Sequence, residues 1–281
     1  MKGILRPKTV LALITVFAIA GIMFTMMSEN VYANKNPFSQ SESNSPKLST
    51  ESLVTSSQPS QEKASQVISE ITNKWKGKIK KEEWLHLVYQ INSEIDNGVI
   101  LPDGRPMPSS YTEEGWYYIN KDGLVEKSVV TLKDETGNTL QQTVFNGSVE
   151  TNLTFGFKTE NIMPYELKLD RGFLQYVRDA EGLKIAIKHQ DLQYKDKPHK
   201  EFSFTEVYDQ PIQFNGENKE PVQSAYVTGL FASETDEMSL YRKVWKYGNG
   251  QDVLFEECEL LLAESTTEAP LDVLTVLESA K

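Results

Sequence analysis

The chain has 281 residues, is 39% hydrophobic and 25% charged, and carries a formal net charge of −11. Those values exclude wholesale disorder, collagen-like repeats and a polytopic membrane protein. The acidic balance also excludes a nucleic-acid partner, because a phosphate backbone is bound by a concentrated cationic surface.

Residues 1–33 read as an export segment. Lys2, Arg6 and Lys8 give a positive start, residues 9–27 carry no charge, and Val31-Tyr32-Ala33 offers small or β-branched residues where a signal peptidase cuts. The same uncharged run is long enough to span a bilayer, so cleavage after Ala33 and retention as a membrane anchor both stand. Either way the positive end stays cytoplasmic and the remainder is delivered outside, secreted or anchored. No cysteine follows the run, so a lipid-modified N-terminus is not expected. Without residues 1–33 the net charge becomes −13, which anionic headgroups repel. Membrane contact is therefore expected only through the N-terminal segment.

Residues 34–61 are rich in Ser, Asn, Gln and Thr, with few large apolar side chains. Such a stretch cannot bury enough surface to offset its ordering entropy and reads as a flexible tether. A helix is expected over 60–75, with Ser60 as N-cap and an apolar stripe of Ala64, Val67, Ile68, Ile71 and Trp75. Gly77 is expected to end it.

Beyond that point the period changes to two. Strands are expected over 84–91, 116–120, 124–133, 138–145, 149–157, 165–170, 173–178, 183–192, 201–208, 222–231, 240–247 and 253–263. Turn signals separate them, Asn146-Gly147 most clearly, with a break expected at Pro198. A short amphipathic helix after Pro270 is expected to close an open end. The fold class is mainly β: an antiparallel meander forming a curved half-barrel or sandwich, with one N-terminal and one short C-terminal helix. Residues 62–281 form one extracytoplasmic domain.

No catalytic constellation is legible. A G-x-S-x-G elbow is absent, and Ser60–Lys63 sits at a helix start without companion motifs. Cys258 lies among Glu256, Glu257 and Glu259, which disfavour a thiolate and suit a core residue. His86, His189 and His199 are far apart in sequence; His86 reads as a structural strand residue and His199 as surface. No metal site and no cofactor are expected. What remains is a set of strand aromatics, mostly core, some of which line an apolar ligand cavity in the sharper reading. The candidates are Trp84, Trp116, Tyr118 and Trp245. Trp116-Tyr117-Tyr118 places aromatics on both faces of one strand, so one face meets something other than the main core.

Three segments resemble the bacterial envelope lipoprotein-carrier and RseB-like half-barrel proteins: Gly115 to Gly123, Tyr241 to Gly250 and the closing Ala269-Pro270-Leu271-Asp272-Val273-Leu274. That resemblance implies a curved sheet capped by helices around an apolar cavity, with a lipid, lipoprotein or envelope protein as partner and no catalysis. The expected function is a non-enzymatic binding or sensing domain. The alternatives are a secreted glycan-active hydrolase using paired Asp and Glu, or a structural surface module.

Overall fold

The computed structural model describes residues 63–95, 98–160, 162–212 and 220–280. The export segment, the tether and the Ser60 cap lie outside the described residues. Among the described residues, eleven strands form one antiparallel sheet. They are β1 (Glu83–Asn92), β2 (Ser110–Ile119), β3 (Val125–Lys133), β4 (Thr139–Asn146), β5 (Val149–Asn152), β6 (Phe157–Glu160), β7 (Lys188–Tyr194), β8 (Lys197–Ile212), β9 (Val222–Ala232), β10 (Met238–Tyr247) and β11 (Asp252–Thr266). Their spatial order is β6-β5-β4-β3-β2-β1-β11-β10-β9-β8-β7. The chain meanders from β1 to one edge, crosses to the other edge, and returns until β11 pairs with β1. The sheet stays open, a curved half-barrel with β6 and β7 as its edges.

Three helices accompany it among the described residues: α1 (Ala64–Lys78), α2 (Phe173–Gly182) and α3 (Leu271–Ser279). In α1 the apolar stripe buries Ile68, Ile71 and Trp75. The helix runs past Gly77 to Lys78, and no side chain of its own caps its start. Instead Glu181 of α2 accepts hydrogen bonds from the backbone N–H of Ser65 at 3.0 Å and its hydroxyl at 2.5 Å. A carboxylate at a helix start satisfies open N–H groups and meets the positive end of the dipole.

Most expected strands form, with ends displaced by a few residues. The exceptions have local causes. Residues 173–178 form a helix, because Phe173, Val177 and Ala180 recur at spacings of four and three and bury one face. Asp170 supports that start, its carboxylate accepting from the Leu174 N–H at 2.9 Å. Residues 165–170 are a connection that pairs with the sheet through a bridge from Tyr165 to Val125 and packs the Tyr165 ring on Phe145. The expected 149–157 strand divides, since Gly156, at φ +74°, donates back to the Asn152 carbonyl and turns the chain. Pro198 does not break a strand. It follows a tight turn through Lys195 and Asp196, both left-handed (φ 50° and 61°), and pairs with Gln193 inside the β7–β8 hairpin.

Alternation divides the side chains between two faces. The inner face holds the main core: Leu85, Leu87, Tyr89 and Ile91 of β1, Phe202 and Phe204 of β8, and Tyr241 of β10, under α1 and α2. The other face carries a smaller cluster in which Trp84, Trp116, Val129 and Val144 pack against Ala269, Val273 and Leu277. The C-terminal helix is therefore present as expected, but α3 covers a sheet face over β3 and β4 and does not plug an end.

Candidate functional site

The inner face is apolar by composition and aromatic at its centre. Phe173 of α2 lies at 6.5, 6.1 and 6.3 Å, ring to ring, from Phe204, Phe231 and Tyr241. Edge and tilted pairs at such separations add to the stabilisation from burial alone. The ring fits because β9 has Gly229 beneath it: a Cβ there would stand 2.6 Å from the Phe173 ring.

Charged groups are set into this apolar surface. Arg171, just before α2, donates to Glu113 of β2 at 2.7 Å, and its guanidinium lies 4.8 Å over the Tyr89 ring. It also reaches Cys258 Sγ at 3.7 Å, and that thiol donates to Glu256 at 3.2 Å. Lys243 of β10 pairs with Glu206 of β8 at 3.6 Å, with side-chain exposures of only 9% and 7%. Its ammonium lies 4.8 Å over Tyr176 of α2, and Tyr208 donates to Glu206 at 3.1 Å.

Enclosure sets the protonation of these groups. Burial pushes the Glu256 carboxyl up, against the pull of nearby Arg171. Burial lowers Lys243, a shift opposed by Glu206. Burial and the Glu256 carboxylate push the Cys258 thiol well up, so it is no nucleophile. Burial opposes the Arg171 charge, but Glu113, Cys258, Glu256 and Tyr89 together more than offset it, so the guanidinium stays ionised. The inner face thus sets groups of both signs of charge in an apolar surround.

The four aromatics expected to line one cavity do not share a face. Trp245 lies on the inner face, stacked on Phe255 with ring centres 4.2 Å apart. Trp84, Trp116 and Tyr118 belong to the opposite face beneath α3, with Trp84 and Tyr118 5.5 Å apart. There His86 stacks on Trp116 at 3.9 Å and meets Glu114 at 3.0 Å and Glu264 at 3.2 Å, a structural histidine as expected. His199, expected at the surface, is buried at 3% exposure beneath its own hairpin. Sequence reasoning missed Glu113, Glu206, Lys243 and Glu256, although period two carries a signal. Tyr241, Lys243 and Trp245 share a face, as do Phe202, Phe204 and Glu206.

Together these features define an open antiparallel half-barrel with a helix-covered apolar face enclosing a charged cluster. No family model matches the sequence, and no curated protein does. Among solved structures, the chain is similar to an uncharacterised conserved protein from Thermus thermophilus, at 8% identity and TM-score 0.37 over 74% of this chain and 93% of that one. It is similar to LprF from Mycobacterium bovis at 14% identity and TM-score 0.32, covering 74% and 96%. It is also similar to a LolA superfamily protein from Nitrosomonas europaea at 10% identity and TM-score 0.24, covering 73% and 95%. At such TM-scores the function is read from this chain's own side chains.

Proposed function

We propose that this chain is an extracytoplasmic binding domain that holds an amphipathic ligand of lipid or lipoprotein type against its inner face, without catalysis there. Residues 1–33 deliver or anchor it, and residues 34–61 hold it away from the bilayer. The observation that carries the reading is the Lys243–Glu206 pair, two nearly enclosed charges set among Phe204, Tyr176 and Trp245. A buried ion pair gives little net stability compared with apolar replacements, so its presence on a core face suits recognition better than folding. Few polar groups in an apolar surround are the usual composition of a site that orients a ligand's polar end.

Native mass spectrometry of gently purified protein, with lipid extraction and titration of a fluorescent fatty-acid probe, tests this. Co-purified lipid and saturable probe binding are expected, and W245A weakens that binding while W116A changes stability alone. A ligand-free protein that fails to bind the probe refutes the proposal.

A further inference from the structure

A second site lies away from the inner face and stands on its own geometry. The β7–β8 turn, the β9–β10 turn and the 259–263 stretch of β11 enclose a cavity of about 230 Å³. The β7–β8 tip reaches β11, where Tyr194 donates to Glu259 at 3.1 Å and Lys195 pairs with the same carboxylate. His199 and Ser239 both line the cavity.

The His199 Nδ1 lies 2.9 Å from the Lys197 carbonyl oxygen. That oxygen only accepts, so in the neutral ring Nδ1 carries the hydrogen, an assignment made from its partner. The lone pair of Nε2 then faces Ser239 Oγ at 2.9 Å, and the hydroxyl donates to it. Ser239 is the residue skipped where β10 shifts register against β9, between Met238 and Leu240. Such a bulge re-aims a side chain out of the strand's alternation. Hydroxyl, base and an acceptor orienting the base are the three parts of an activated serine. Here a main-chain carbonyl serves as the third.

We infer that Ser239 and His199 form a nucleophile–base pair that hydrolyses small neutral esters in this cavity. Ser239 Oγ bonds to the ester carbonyl carbon as its proton passes to His199 Nε2. The bond to the leaving oxygen then breaks, and that oxygen takes the proton from His199 as the alcohol departs. Water attacks the acyl-serine and gives a proton to Nε2, which returns it to Ser239 Oγ as the carboxylic acid leaves. Lys195, paired with Glu259, and Lys197 also line the wall. The wall also carries Glu234, Glu237 and Glu259, which disfavour anionic substrates. The volume falls below the ~300 Å³ at which drug-sized sites begin, so the acyl group is short.

The full-length protein in detergent micelles is assayed with p-nitrophenyl acetate and butyrate, and labelled with a fluorophosphonate probe read by peptide mass spectrometry. An adduct on Ser239 is expected, and S239A loses the adduct and at least ~100-fold of the hydrolysis rate. H199Q, which removes the general base, is expected to lose the hydrolysis rate to a similar extent at fixed pH. His199 is buried, so circular dichroism accompanies H199Q; if that variant unfolds, S239A decides alone. No adduct on folded wild-type protein, or equal hydrolysis in S239A, overturns the inference.

Discussion

Replacing Arg171 by methionine removes one partner of an enclosed ion pair on the inner face. The guanidinium lies 2.7 Å from Glu113, with side-chain exposures of 19% and 9%. Removing one member of a buried pair costs about 3–5 kcal/mol, because the other charge stays enclosed without compensation. The residual exposure of Arg171 allows water to reach Glu113, which places R171M at the low end, about 3 kcal/mol. The double variant R171M/E113L leaves no stranded charge and is expected within about 1 kcal/mol of wild type. Urea unfolding followed by circular dichroism measures all of them. With a slope of about 3 kcal/mol per molar, R171M lowers the midpoint by about 1 M. Losses under ~1 kcal/mol for R171M and E113L alone, or a double variant as poor as their sum, refute the claim that this pair is buried and coupled.

Three further outcomes follow from the same packing. G229A forces a methyl group to within 2.6 Å of the Phe173 ring and lowers stability by about 1–3 kcal/mol, read as a fall in Tm, while G77A, with open space around its Cβ, does not. Burial raises the Glu256 carboxyl above its ordinary 4.5, so the native state favours its protonated form. The stability contributed is present below the ordinary value and lost as pH rises through the raised one. E256Q therefore melts above wild type at about pH 8 and converges with it near about pH 4, in Tm scans across pH. Deleting residues 269–281 removes Val273 and Leu277 from the Trp84–Trp116 cluster, a loss of at most ~1.5–3 kcal/mol for each side chain, and red-shifts tryptophan emission. An unshifted spectrum would show that α3 does not shield those rings.

The strands were legible because a half-buried strand writes its burial into alternate residues, as in 84–91 and 240–247. The helix α2 was not, since Phe173-Leu174-Gln175-Tyr176-Val177 alternates weakly while also matching the helical spacing of 173, 177 and 180. Only packing against Phe204, Phe231 and Tyr241 decides between those periods. Trp116-Tyr117-Tyr118 did announce two occupied faces, and α3 covers the second. Which aromatics share a face also depends on strand order, and neighbours such as β1 and β11 are joined from opposite ends of the chain. The serine–histidine contact spans 40 positions and leaves no local pattern.

Strand order also separates two roles within the charged cluster. The chain must pass from β6 at one edge to β7 at the other, its described part being residues 162–187, and ten strand spacings amount to ~48 Å. That crossing segment lies over the inner face, where Glu181 ties it to α1 and Arg171 ties it to β2. An anchoring role thus accounts for Arg171–Glu113, one residue from the crossing and one from the sheet. It does not account for Lys243–Glu206, whose members both belong to the sheet, on the two neighbours of β9. A Leu or Met at each position would fill the same space without the desolvation cost of two enclosed charges. The crossing segment touches this pair through Tyr176, whose ring lies over the Lys243 ammonium. Under the proposed function, the charges at 206 and 243 are therefore the ones that meet a ligand's polar end.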